Sequence, residues 1–172
     1  YNINLLVEQN TIPNNEYEGV FHEIVYSATI RDNVITANGL ANPSSNSPYG
    51  AGILIAASSN VTVTGNTIRN NANGVTLVQE NRGNGPYGPL QLHDDHVYRN
   101  TIDMSIGRTG LFQYVNSNAY YPTSHNTFTE NHYQPRTTAN HFYRMNNTVD
   151  PPACPHYGND ATNTTLTTTC PP

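Results

Sequence analysis

The sequence predicts an all-β, single-stranded solenoid of about five to six short coils, followed by an irregular C-terminal tail. Three observations carry that expectation. A skeleton of one asparagine flanked by branched aliphatics recurs five times. Apolar and polar residues alternate with period two ahead of the asparagine, and no stretch keeps a 3.6-residue apolar stripe for the length of a helix. A second short strand opening on glycine follows each of the first four copies.

The five copies are LLVEQNTIPNN, ATIRDNVITAN, VTVTGNTIRNN, DHVYRNTIDMS and PTSHNTFTEN. Aligned on the asparagine, they give anchors at Asn10, Asn33, Asn66, Asn100 and Asn126. Leu5/Val7, Ala28/Ile30 and Val61/Val63 precede the first three; Ile12, Ile35, Ile68, Ile102 and Phe128 follow by two residues; Asn15, Asn38, Asn71, Ser105 and Asn131 follow by five. Alternation puts one set of side chains inside and the other outside. The glycine strands begin at Gly19, Gly52, Gly74 and Gly110. Asparagine and glycine are the residues that best tolerate left-handed backbone, so both are expected at corners. Anchors are 23, 33, 34 and 26 residues apart, a base period in the low twenties with two insertions. A unit of that size cannot bury its apolar face alone and must stack. Stacked strands lie about 4.8 Å apart, close enough for equivalent asparagines to bond as a ladder.

The pattern V-x-V-x-x-N-x-I-x-x-N with G-I-x-L resembles the right-handed parallel β-helix repeat, over residues 3–133. More narrowly, EGVFHEIVYSATIRDNVITANG, YGAGILIAASSNVTVTGNTIRNN and GVTLVQENR are similar to a group of secreted bacterial, pectate-lyase-like solenoids whose activity is mostly unassigned. That resemblance implies an extracellular or cell-surface location. It also implies a tail with a Gly-x-Asp element after the last coil, to which YGNDATNTTL (157–166) is similar, although the tail's usual tryptophans are missing. The chain accordingly divides into coils over 1–133 and a C-terminal extension over 134–172. Its first residues already lie inside a repeat, as in a processed chain or a piece of a longer one.

Composition narrows the function classes. Charged residues are 11%, against roughly 25% in ordinary domains. Lysine is absent, the formal charge is −5, and no basic run appears, which argues against a nucleic-acid partner. No apolar run reaches the roughly 20 residues of a membrane span. Phosphate-loop, dinucleotide and nucleophile-elbow motifs are absent, so no cofactor is expected, and calcium finds no supporting motif. Cys154 and Cys170 are expected to close a disulfide in the extension, worth about 3 kcal/mol, in an oxidising compartment; two unpaired thiols are the alternative. Sequons at Asn60, Asn146 and Asn163 permit glycosylation without requiring it.

Candidate binding residues fall on the insertions and the glycine strands. GLANPSSNSPYG (39–50) and NRGNGPYGPLQL (81–92) are loop-like and each carries Pro-Tyr-Gly, with Tyr49 and Tyr87 suited to sugar rings or, alternatively, folded back to cover their own loops. They leave at different corners, so nothing in the sequence requires them to meet. Counting from each glycine gives two outward columns: Phe21, Leu54, Thr76, Phe112 and Glu23, Ala56, Val78, Tyr114. Two-carboxylate sugar hydrolysis needs acids roughly 5–9.5 Å apart, and Glu23 has no acidic neighbour in its column. Its partner would come from elsewhere, such as Glu80. This acid-poor face argues against a polysaccharide lyase or glycoside hydrolase. His22 with Glu23 is the best acid–base candidate; the plain alternative is an inward, hydrogen-bonded His22. Arg82 could hold an acidic sugar's carboxylate or pair with Glu80. In LHDDHVYRN, at most alternate members of the run His93, Asp94, Asp95, His96 could share one ion, because neighbours on a strand face opposite ways; the plain alternative is a polar turn entering a strand. No metal site is expected, and Asp95 falls at an inward aliphatic position.

The expectation is an extracellular scaffold that interacts with polysaccharide through Phe21, Tyr49, Tyr87, Arg82, Phe112 and Tyr114, with Glu23 and His22 the only catalytic candidates. The alternative is a structural or adhesive solenoid that stacks end to end on copies of itself into filaments.

Overall fold

Each coil is built from short strands joined by tight corners. The computed structural model describes residues 2–41, 48–104, 107–113, 123–135, 143–145 and 148–150. The first coil comprises β1 (Leu5–Glu8), β2 (Thr11–Pro13) and β3 (Val20–Glu23); the second β4 (Ala28–Arg31), β5 (Val34–Thr36) and β6 (Ala51–Ala56). The third comprises β7 (Val61–Thr64), β8 (Thr67–Asn71) and β9 (Asn73–Gln79), followed by a small hairpin, β10 (Asn84–Gly85) and β11 (Gly88–Pro89). β12 (His96–Tyr98), β13 (Thr101–Met104) and β14 (Gly110–Gln113) form the fourth, and β15 (Thr127–Thr129) and β16 (His132–Pro135) the fifth. β17 (Tyr143–Met145) and β18 (Thr148–Asp150) form an antiparallel pair in the extension. Cys154, Cys170, Asn146 and Asn163 lie outside the described residues.

Equivalent strands pair in parallel to give three sheets running the length of the coils. Sheet A is β1-β4-β7-β12-β15, sheet B is β2-β5-β8-β13-β16, and sheet C is β3-β6-β9-β14. Crossovers between parallel strands are right-handed for steric reasons. Inside, Ile30, Ile35, Ile53, Ile55, Val61, Val63, Ile68, Val75, Leu77, Val97 and Ile102 form one continuous apolar core, all fully buried. These are the inward positions that the alternation predicts.

The asparagine ladder between sheets A and B is present through its first four rungs. The Nδ2 of Asn10, Asn33 and Asn66 donates to the Oδ1 of the next rung at 3.1, 2.9 and 2.9 Å. Each of the three also donates its backbone N–H to that same oxygen. The fifth rung is Asn131, whose Oδ1 accepts from Asn100 Nδ2 at 2.9 Å. Asn126 therefore does not belong to this ladder. It lies beside Asp95 at the start of the sheet A strands, accepting from the Asp95 N–H at 3.0 Å. The true repeat is NTFTEN matched to VTVTGN, which places Phe128 opposite Val97 in sheet A and Tyr133 opposite Ile102 in sheet B. A second ladder, Asn15–Asn38–Asn71, runs between sheets B and C.

Left-handed backbone sits one residue ahead of the asparagines, at Gln9, Asp32, Gly65, Arg99 and Glu130. The ladder residue itself is not left-handed; its carboxamide instead ties off the turn by bonding the carbonyl two residues back, as Asn66 Nδ2 does to Thr64 O at 3.1 Å. Gly19 and Gly52 are required for space. A Cβ on Gly52 would press against Ile68 Cγ2 and lie 2.9 Å from Asn71 Nδ2. A Cβ on Gly19 would meet Ile35 and Asn38 in the same way. In the fourth coil Gly110 pairs with Thr76 rather than Gly74, so the strand is displaced by two residues.

Candidate functional site

Sheet C and the two insertions build the site. The displaced β14 changes the outward columns: they are Phe21–Leu54–Thr76–Gly110 and Glu23–Ala56–Val78–Phe112. Most of this surface is covered. Ala51, Leu54, Ala56, Val78 and Phe112 form a second apolar cluster outside the coil, with Phe112 only 5% exposed. Phe112 is thus packing, not an available sugar platform, and Tyr114 lies outside the described residues.

The first insertion reaches across this sheet: Thr76 Oγ1 donates to Pro48 O at 3.0 Å and Asn73 Nδ2 to Tyr49 O at 2.6 Å. Gly39 and Gly50, both left-handed, lie against each other and pinch the loop's two ends together. The second insertion is tied at its exit by Gln79, whose Oε1 accepts the Leu92 N–H at 2.7 Å, and at its tip by Tyr26, whose hydroxyl donates to Gly88 O at 2.9 Å. Tyr87 meets the Tyr26 ring edge-on at 5.3 Å. The two insertions depart from different corners, yet Tyr49 of the first lies within electrostatic reach of Arg82 of the second.

Arg82 links two acids. Its Nη2 lies 2.5 Å from Glu23 Oε1 and its Nε 2.8 Å from Glu80 Oε2. One guanidinium edge, which could clamp a single carboxylate bidentately, is divided between two. Tyr49 lies in the same field: burial is the first cause that pushes its hydroxyl up, and Glu80 and then Glu23 add to it. Glu18 completes the acidic side, its Oε1 accepting the Gly50 N–H at 3.2 Å. Phe21, Tyr49 and Tyr87 remain open to solvent at 52%, 42% and 65%.

His22 is not part of this cluster. It points into the core at 3% exposure, stacked on Ile55, while Glu23 points outward. Burial lowers its pKa, keeping the ring neutral, and Nε2 has no hydrogen-bond partner among the described residues. An acid–base couple with Glu23 is excluded by the strand's alternation.

The histidine–aspartate run separates in the same way. Asp95 is buried inside, while Asp94 outside bonds His93 Nδ1 at 2.8 Å and His125 Nδ1 at 3.3 Å. The His93 hydrogen bond, ahead of the His125 contact, lowers the Asp94 pKa. His96 bonds Thr127 Oγ1 at 2.9 Å. Among the described residues no group of three or more His, Cys, Asp or Glu side chains could hold a metal ion. A separate groove of about 390 Å³ on sheet A is walled by Asn4, Ser27, Thr29, Asn60 and Thr62, with no ionisable group.

The family described as "right handed beta helix region" matches residues 1–88, just over half the chain. The chain belongs to the right-handed β-helix family. The fourth and fifth coils extend sheets A and B beyond the matched region in parallel pairing, with one register shift between Asp103 and Met104. No curated protein and no solved structure matches the chain. Membership in a β-helix family fixes the scaffold; chemistry must be argued from the site. Tyr26 and Glu18 are the site residues that sequence reading passed over. Tyr26 stands just past β3 and Glu18 just before it, and no periodicity marks either.

Proposed function

We propose that this β-helix is an extracellular or cell-surface scaffold that binds polysaccharide around Tyr49 and Arg82, one from each insertion. The observation that carries the reading is the Glu23–Arg82–Glu80 bridge with Tyr49 in its field, on a molecule that leaves Phe21, Tyr49 and Tyr87 exposed. Aromatic rings offer flat apolar faces to sugars, and carboxylate oxygens accept from sugar hydroxyls. Arg82 fills the gap between the two acids, where a scissile glycosidic oxygen would have to enter, which supports binding rather than bond cleavage. With its Nε and Nη2 donors committed to Glu23 and Glu80, it is poorly free to take an acidic sugar's carboxylate. Glu18, Glu23 and Glu80 outnumber Arg82, so neutral glycans fit the field better than polyuronates.

The test is binding to a glycan panel by wild type, Tyr49→Ala, Tyr87→Ala and Glu23→Gln. The reading expects a neutral-glycan signal that falls at least tenfold in each tyrosine variant and falls in Glu23→Gln. Binding unchanged in all three removes the site.

A second reading is end-to-end assembly with copies of itself, supported by sheets whose equivalent strands pair in parallel layer on layer, an arrangement that further identical layers can extend. Negative-stain images of fibres would support this reading, and discrete rods at high protein concentration would reject it.

A further inference from the structure

Asp95 is a buried ionisable group that the binding site does not use. It belongs to the column Leu5–Ala28–Val61–Asp95–Asn126 at the start of the sheet A strands. In the first two coils this column is held by main chain: Leu5 N donates to Ser27 O at 3.2 Å and Ala28 N to Asn60 O at 3.4 Å. From the third coil onward side chains take over. Val61 N donates to Asp95 Oδ1 at 2.8 Å, and Asp95 N donates to Asn126 Oδ1 at 3.0 Å.

These are the bonds of an asparagine ladder. In the A–B ladder Asn66 N donates to Asn100 Oδ1 at 2.9 Å, and Asn66 Nδ2 makes a second bond to the same oxygen at 2.9 Å. Asn126 Nδ2 reaches back to Leu92 O at 3.1 Å, just as Asn131 Nδ2 reaches Val97 O at 2.9 Å. Asp95 Oδ1 thus occupies the ladder oxygen's place, and Oδ2 falls where an asparagine carries Nδ2. The partners of that Nδ2 are acceptors: carbonyl oxygens and the next rung's Oδ1. Oδ2 is fully buried and meets no donor among the described residues. A carboxylate there would face lone pairs with lone pairs, whereas a carboxyl O–H could donate as the amide does.

We propose that Asp95 is a protonated carboxylic acid standing in for a ladder asparagine, and that its ionisation at higher pH loosens the junction of the third, fourth and fifth coils. Burial, the largest cause, pushes its pKa well above the ordinary value; the Val61 N–H opposes this and the charge of Asp94 adds to it. The ionisable groups nearby are Asp94, held between His93 and His125, and His96, bonded to Thr127. From the third coil Val61 and Ser59, and from the fifth Asn126 and Ser124, bring no charge. With the folded pKa above the unfolded value of about 3.9, the stability that Asp95 lends is complete below that value. It is lost as pH rises through the folded pKa.

Thermal unfolding of wild type, Asp95→Asn, Asp95→Val and Asp94→Asn between pH 4 and 9 tests this. Asp95→Asn should exceed wild type by about 3 °C or more at pH 8, with the gap closing towards pH 4. A gap equal at both ends, or an asparagine variant less stable than wild type at pH 8, overturns the proposal. Valine restores the column's aliphatic but strands the Val61 N–H, so Asp95→Val should melt below Asp95→Asn throughout; equality overturns the hydrogen-bonding role. Asp94→Asn should leave the wild-type decline with pH in place, and its disappearance would assign the effect to the His93–Asp94–His125 cluster instead. Should Asp95→Asn fail to fold, the Asp95 carboxyl ¹³C shift in wild type decides: protonated at pH 7 supports the proposal, ionised overturns it.

Discussion

Two corners of the same helix solve one problem differently. Between sheets A and B, every coil spends two residues on the turn: Gln9-Asn10, Asp32-Asn33, Gly65-Asn66, Arg99-Asn100 and Glu130-Asn131. The first of each pair is left-handed and the second is a ladder asparagine. Between sheets C and A the connection is four residues in the first two coils, Ile24–Ser27 and Ala57–Asn60, then a long excursion over 80–95 that includes the β10–β11 hairpin. There the column is aliphatic for three coils and polar only at Asp95 and Asn126. The A–B turn keeps one length and one left-handed residue in every coil, so its ladder runs through all five layers. The C–A corner carries the second insertion, while the first leaves the B–C corner just after Asn38.

Breaking the constant corner should cost the most. Asn66→Ala removes the shared acceptor of the Asn33 N–H and Nδ2, and a donor to Ile30 O and Asn100 Oδ1, all buried. Each orphaned group costs about 1–3 kcal/mol, so a loss of about 4 kcal/mol is expected in urea unfolding at pH 7. Asn126→Ala at the variable corner strands the Asp95 N–H and the Leu92 carbonyl, and should cost about 2 kcal/mol in the same measurement. Equal losses at the two positions would erase the distinction. Smallest of all, Arg99→Ala opens an exposed ion pair with Glu130 at the ladder's rim, which leaves the asparagines untouched. Its urea midpoint should match wild type, as for most surface pairs.

Much of this was legible in the residues. Alternation is local, so the inward aliphatics Ile30, Val63, Ile68 and Val97 could be read without tertiary information, and four ladder rungs followed from the fixed spacing of Asn10, Asn33, Asn66 and Asn100. The fifth was misread because Asn126-Thr-Phe imitates Asn66-Thr-Ile. The longer match of Thr127-Phe-Thr-Glu-Asn131 to Thr62-Val-Thr-Gly-Asn66 would have resolved it. Phe112 was misplaced because Gly110 imitates Gly52 while pairing with Thr76. Glu23, Arg82, Tyr49 and Tyr87 stood out by chemistry, yet the placing of the two insertions depends on Tyr26 and Asn73 reaching across layers and on Gln79 tying off its own loop, and no repeat encodes that. Nor could counting from glycine reveal that Leu54, Thr76 and Val78 are buried, Thr76 against the Pro48 carbonyl.

Coil-on-coil register is the claim under everything else, and cysteine cross-linking addresses it directly. In a chain with Cys154 and Cys170 changed to serine, the pair His96→Cys and Thr127→Cys occupies adjacent partners of sheet A. Neighbouring strands lie about 4.8 Å apart, within disulfide reach. Mild oxidation should close this pair rapidly and leave Thr101→Cys with Thr127→Cys open, since Thr101 pairs with His132. Closure of the second pair in preference to the first would place Asn126 in the ladder after all and contradict the register described.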